Sequence, residues 1–316
     1  MSTILQFNGL AKTALPRGPL HLAIGMFDGL HRGHQAVIRL AVEDAAKDRG
    51  VAGVLTFWPH PSAILRPGAE PVRMLMQPAD KVRMLADLGV DAVITEPFTA
   101  EFAAVEAAGF LARLKARLPA LRAVYVGENW RFGRGRLGDV NLLQAEGRQL
   151  GIRVHSVARV RLGDEPISST RIRSLLESGE IESANAMLGY PYFARGVVVA
   201  GQKLGRKIGF PTLNLDWHPA QPPRLGVYAV KVRRDEDVDP VAAVANYGVR
   251  PTVDDQGVPV LEVHVLDECA FAPGDNLHVA FHHFLRAEQR FAGLDALKSQ
   301  IAADREKARD WFAEQA

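Results

Sequence analysis

Cysteine is almost missing: Cys269 is the only one among 316 residues, so no disulfide can close within the chain and a reducing compartment is expected. An excess of one charge is missing too. Lys and Arg number 38 against 36 Asp and Glu, which leaves no broad basic face for nucleic acid. No apolar run approaches the ~20 residues of a spanning helix. Met1–Arg17 lacks the basic stretch and apolar core of a signal peptide. A cytoplasmic protein with no membrane or nucleic-acid partner is expected, its oligomeric state left open. There is no internal repeat, no low-complexity tract and no GxxxxGK[ST] string, so any kinase here is not a P-loop enzyme.

What is present is a foldable composition, 47% hydrophobic and 23% charged, in a chain long enough for two domains. The first half alternates short β-rich runs (21–26, 52–57, 92–95, 123–126) with helical patterns (33–49, 79–88, 100–117, 168–188). That order predicts βαβ crossovers and a Rossmann-like parallel sheet. After Gly189 the pattern changes to strand-like runs at 195–200, 226–232, 241–247, 260–267 and 276–284, then one helix over 294–312. A small antiparallel barrel with a C-terminal helix is expected, and the division falls at 1–188 and 189–316.

The sharpest motif is Gly25-Met26-Phe27-Asp28-Gly29-Leu30-His31-Arg32-Gly33-His34, after a strand and opening a helix. A parallel sheet places phosphates there, and two histidines three apart can face one anion. Nucleotidyl transfer needs charge stabilisation at the α-phosphate and no covalent nucleophile. The blander reading is a pair of capping or surface histidines. Ile167-Ser168-Ser169-Thr170-Arg171-Ile172-Arg173 puts three hydroxyls and two arginines at a helix start, a polyphosphate site or a plain N-cap. Gly133-Arg134-Gly135-Arg136-Leu137-Gly138 fits the dinucleotide fingerprint formally, yet it stands away from the end of its strand, where a pyrophosphate turn belongs.

In the second half, Gly201 to Gly209 holds three glycines and three cations, including Gly205 and Arg206, a loop able to wrap a triphosphate. Thr212 and Asn214 alternate on an extended run, so their hard oxygen donors share a face and suit Mg²⁺ with phosphates. His282 and His283, as strand neighbours, are expected to point to opposite faces.

Together GxFDGxHxGH and ISSTRIR resemble the nucleotidyltransferase half of the bacterial bifunctional riboflavin kinase/FAD synthetases. Thr56–Pro61 and Gly127–Gly133 are similar to that family's FxPHP and GxNFxFG segments, with Trp130 replacing a Phe. Gly201–Asn214 resembles the riboflavin kinase motif GxxLGRxIGFPTAN, with Leu213 where alanine is usual. The resemblance implies an ATP- and Mg²⁺-dependent enzyme converting riboflavin to FMN and FMN to FAD. It assigns Gly25, Phe27, His31, His34, Asn129, Ser169, Thr170 and Arg173 to ATP and the transferred phosphate, and Phe57, Pro59 and His60 to the flavin side. In the kinase it assigns Gly205, Arg206, Gly209, Thr212, Asn214 and Arg286 to nucleotide or flavin, Thr212 and Asn214 to magnesium, and Glu262 to general base. Tyr190, Cys269 and Pro273 depart from the family pattern, which leaves open a chain retaining one activity, or a flavin or nucleotide sensor without turnover.

Overall fold

Strand β2 (Leu20–Ile24) is buried along its whole length, as the middle of a sheet covered on both faces requires. A computed structural model describes residues 4–201, 205, 209–249, 257 and 259–315. It divides into two compact units, Met1–Ser169 and Thr170–Ala316. The first runs β1 (Leu5–Asn8), β2, α1 (Arg32–Lys47), β3 (Val51–Trp58), α2 (Pro61–Leu65), α3 (Pro78–Asp87), β4 (Ala92–Pro97), α4 (Ala100–Ala103) and α5 (Phe110–Arg117). It continues with β5 (Leu121–Gly127), α6 (Val140–Leu150), β6 (Arg153–Val157) and a small ribbon, β7 (Arg161–Leu162) with β8 (Glu165–Pro166). Six of these strands form one sheet in the order β1-β4-β3-β2-β5-β6, every pairing parallel. The connection from β2 runs to β3 and that from β5 to β6, in opposite directions along the sheet, so the ends of β2 and β5 flank the crevice where α/β sheets hold ligands.

The helix expected over 100–117 is two helices. Between α4 and α5 the backbone turns in, Val105 O accepting from Arg134 N–H at 2.7 Å, and Gly109 takes a left-handed φ of 82°. The Glu146 carboxylate accepts from Gly109 and Leu111 N–H, satisfying amides the new helix start exposes. Edge strands β1 and β6 are partly exposed and interleave polar residues, so they lack the continuous apolar run that marks the central strands.

Helix α7 (Ser169–Ser178) opens at the division between units, and α8 (Ile181–Leu188) follows after Gly179. A closed barrel then runs β9 (Phe193–Val199), β10 (Leu213–Asp216), β11 (Gly226–Arg234), β12 (Val241–Val249), β13 (Pro259–Val265) and β14 (Asn276–Ala287), ordered β10-β13-β12-β11-β14-β9. Tyr228, Val263 and Phe281 are fully buried. Helix α9 (Leu294–Glu314) lays Ala308, Trp311 and Phe312 over Val227, Ala229 and Val244. His282 and His283 do not part as strand neighbours should. The register of β11 on β14 jumps from Ala229↔His283 to Val230↔Phe281, so His282 is the extra residue of a bulge. Both rings reach Trp311, at 6.0 and 5.4 Å between centroids.

Candidate active sites

The turn from β2 into α1 is strained, and its neighbours hold it. Phe27 and Leu30 have φ of 48° and 36°, a region bulky side chains avoid at about 1–3 kcal/mol each. Gly29, φ 77°, lies where a Cβ would stand 2.6 Å from Leu75 Cδ1. Met26 O accepts from Thr56 Oγ1 at 3.1 Å and Lys81 Nζ at 3.0 Å. Leu30 O accepts from Gln35 Nε2 at 2.8 Å, and Asp28 Oδ1 from Leu75 N–H at 2.8 Å.

That turn brings His31 and His34 together, stacked at 3.6 Å between ring centroids, with Phe27 edge-on to His34 at 5.4 Å. His31 is the N-cap of α1: its Nδ1 accepts the His34 backbone N–H at 3.3 Å. Capping and catalysis are therefore compatible, because a neutral ring accepting at Nδ1 keeps its proton on Nε2 as a donor. Burial lowers His31 to about 4 and His34 well below the usual range, with the charges of His31 and Lys81 opposing its protonation further. At neutral pH the pair is uncharged: a donor surface at a helix N-terminus.

Ser169 Oγ donates to Asp28 O at 2.9 Å, so the ISSTRIR segment starts against the same turn. Thr170 and Arg173 follow at the start of α7. Gly25 continues the sheet, its N–H donating to Leu55 O at 3.1 Å. Asn129 is exposed beyond β5; with its amide oxygen turned toward Arg159, it accepts from that guanidinium. Beside it a cavity of about 320 Å³ is lined by Glu128, Arg131, Asp139, Asn141, Gln144 and Ser156. Phe57 packs into the core against Phe98 and Phe102, while the next residue, Trp58, is 48% exposed. Pro59 links β3 to α2, and His60 caps α2 by accepting from Ser62 N–H at 3.2 Å. The Gly133–Gly138 stretch is a tight turn closed by a Phe132–Gly138 bridge, well past the end of β5 at Gly127.

On the barrel the candidate residues form a row across strands. Asn214 pairs with Glu262, and Glu262 pairs with Asn246; residues directly opposite share a face. The neighbours Leu215, Leu261, Val263 and Tyr247 are buried inside the barrel, so alternation puts the row on the opposite face of its wall, where Asn214 is itself buried at 7% exposure. Gly201 and Gly205 make close approaches, since a Cβ there would lie 2.1 Å from Asn214 Nδ2 and 2.3 Å from Phe210 O. Thr212 is exposed just before β10, and Gly209 lies in the turn before it. Arg206 lies outside the described residues. Arg286 forks onto Asp304 of α9, with Nε and Nη2 donating at 2.8–3.0 Å. His264 follows Glu262 on the same face; its Nδ1 meets Pro211 O at 2.7 Å, and burial lowers its pKa.

Sequence reasoning passed over Lys81 and Asn246. Lys81 has a readable signal, a lysine four residues before Leu85 on the buried stripe of α3. Asn246 opens the Asn246–Thr252 run that resembles the family's pattern, but only strand pairing brings it beside Glu262.

Comparison with known proteins agrees with this two-part layout. A family model described as FAD synthetase matches residues 16–171, and one described as riboflavin kinase matches 188–312. The bifunctional riboflavin kinase/FMN adenylyltransferase of Escherichia coli K12 is 40% identical over 292 residues, 92% of each chain. That of Bacillus subtilis 168 is 32% identical over 296 residues, again 92% of each. A crystal structure described as a macrolide-efflux protein from Streptococcus pneumoniae is 30% identical, with TM-score 0.86 over 98% of this chain and 99% of that one. Among the described residues no helix is long and apolar enough to cross a membrane. With both family models matched in order and full-length relatives aligned along nearly all of it, the chain belongs to the bifunctional riboflavin kinase/FMN adenylyltransferase family.

Proposed function

We propose that residues 1–188 carry the adenylyl transfer and residues 189–316 the riboflavin phosphorylation, with His31, His34 and Glu262 as the groups closest to the chemistry. In the first reaction an FMN phosphate oxygen attacks the α-phosphorus of ATP and pyrophosphate leaves; no proton must move. The protein therefore has to orient the reactants and stabilise developing charge. The observation that carries this reading is the neutral, stacked His31–His34 pair on a strained turn at the start of α1. His31 Nε2–H and the free amides of α1 are donors for phosphate oxygens. Ser169, bonded to Asp28 O, is held at the same turn, and Asn129 lies on the neighbouring loop; Thr170 and Arg173 are assigned to the nucleotide by the family resemblance. Trp58, exposed beside Pro59 and His60, gives the flavin side an aromatic face that Phe57, packed in the core, does not offer.

In the second reaction the ribityl 5′-hydroxyl attacks the γ-phosphorus, the bond to the β-phosphate oxygen breaks, and ADP leaves. Glu262 accepts the hydroxyl proton. Thr212 and Asn214 would hold Mg²⁺ with the nucleotide. The donor set fits: a hydroxyl and an amide oxygen beside one carboxylate, and among the described residues no cluster of three His, Cys, Asp or Glu. That suits a small hard cation sharing its coordination with phosphates and water rather than a protein cage. When bound, magnesium neutralises phosphate charge. The substrates are ATP, riboflavin and FMN, and the cytoplasm is the compartment that the single, exposed Cys269 fits. Incubation with riboflavin and Mg·ATP, followed by chromatography, tests the reading. FMN and FAD should both appear; riboflavin left unconverted sinks the kinase half, and failure to make FAD from added FMN and Mg·ATP sinks the other.

A further inference from the structure

We propose that Lys81 is a positioning residue of the adenylyl transfer: a buried cation that locks the turn carrying His31 and His34 and sets the field around their rings. Lys81 is 7% exposed, and a lysine so placed must be paired to offset its desolvation. It is paired with the turn. Its Nζ donates to Met26 O at 3.0 Å, one residue before the backbone enters the left-handed region at Phe27. Thr56 Oγ1 is the second donor to the same carbonyl, at 3.1 Å. The countercharge is Asp28, 3% exposed, whose own Oδ1 accepts from Leu75 N–H at 2.8 Å. Two elements, α3 and β3, thus grip one carbonyl of the strained segment.

The same cation acts on His34. Burial comes first in keeping that ring uncharged, and the charges of His31 and Lys81 add to it. Lys81 is itself pushed down by burial and pulled back up by Asp28. The groups facing His34 are His31 and Phe27 from its own turn and Lys81 from α3, with Asp28 beside Lys81. Removing the ammonium should therefore raise the His34 pKa toward 6.5 and leave Met26 O with one donor. An aliphatic chain of similar length still fills the space. The inference rests on reading the histidine pair as phosphate-facing, and it extends that reading from the donors to the residue that holds them.

The test uses full-length Lys81→Met and Lys81→Arg. FMN formation from riboflavin controls for enzyme concentration and an intact barrel unit, and the denaturant midpoint of the first unit's own transition serves as the folding control for the Lys81 variants. For Lys81→Met, kcat for FAD formation should fall about 10- to 100-fold with KM for ATP moved less. The His34 resonance, assigned with His34→Gln, should titrate at higher pH than in wild type. The acid limb of FAD formation should move up with it. Lys81→Arg, which keeps the charge, should restore the titration and part of the rate. A folded Lys81→Met that makes FAD within about twofold of wild type, or that loses rate while His34 titrates as before, overturns the proposal. If Lys81→Met fails to fold, Lys81→Arg decides: near wild-type titration and turnover support the role, and loss of both removes it. FAD formation surviving in His34→Ala would sink the histidine reading instead, and the titration separates the two failures.

Discussion

The two units build their sites in opposite ways. In the α/β unit ten consecutive residues, Gly25 to His34, make a strained turn, an N-cap and a stacked pair of buried rings, and neighbouring elements grip that one turn. In the barrel, Asn214, Glu262 and Asn246 come from three strands, and antiparallel register alone sets them side by side. A site made by a turn depends on local strain and the groups that hold it. A site made by register depends on the whole sheet, because a slip by one residue turns every side chain to the other face.

If the division of labour is real, damage should stay on one side. The largest effect is expected for Glu262→Gln, which keeps shape and removes the proton acceptor. FMN formation should fall by about 10²–10⁴ while adenylylation of added FMN is unchanged. Wild-type phosphorylation by this variant would remove Glu262 from the mechanism and turn attention to His264 on the same face. Next, His31→Ala with His34→Ala should lower FAD formation by about 10²–10³, the usual loss when preorganised donors are removed, while FMN accumulates from riboflavin. Equal loss of both products from a folded double mutant would break the comparison.

The contrast also explains what could be read from the chain alone. The parallel sheet and the barrel were legible because central strands such as Val51–Trp58 are continuous apolar runs and barrel strands alternate. The turn motif was legible because all its parts are contiguous. Lys81 was hidden by its type, since a lysine on a helix normally reads as solvent-exposed. Asn246 was hidden by distance, since its partner Glu262 stands across a strand pair. The bulge at His282 was invisible because nothing in the residues marks an extra position in one strand. The break between α4 and α5 had a signal in Gly109, outweighed by the apolar helical period around it.

The folding boundary gives the third expectation. Helices α7 and α8 are tied to the barrel: Asn185 Nδ2 donates to Phe281 O at 2.8 Å, and Tyr192 N–H donates to Asn185 Oδ1 at 2.7 Å. Gln221 Nε2 donates to Glu177 Oε1 at 3.1 Å, and Arg224 N–H to Leu176 O at 2.8 Å. A fragment 170–316 should therefore unfold cooperatively and phosphorylate riboflavin. A fragment 191–316 loses these bonds, at about 1 kcal/mol each, and the burial of α8 residues such as Ile181 and Leu188. It should be less stable by at least about 4 kcal/mol. Equal denaturant midpoints for the two fragments would place the folding boundary at the barrel itself.

The smallest effect expected is one the units share. His21, His31 and His34 in the first unit and His264, His278 and His282 in the second all have pKa values lowered chiefly by burial, His31, His278 and His282 to about 4. The unfolded chain binds these protons near 6.5, the folded chain only further down. Between those values the unfolded state carries more protons, so stability falls as pH falls. The limit is about 1.4 kcal/mol per histidine per pH unit, less where a ring keeps contact with water. His31→Gln removes one such group from the first unit, and with it a charge that opposes protonation of His34. Its loss of stability between pH 6.5 and 4.5 should be shallower than that of wild type, even if the weaker cap lowers stability at every pH. His278→Gln should flatten only the transition of the barrel unit. A wild-type slope that neither substitution changes would mean that carboxylates, not buried histidines, set the acid limit of both units.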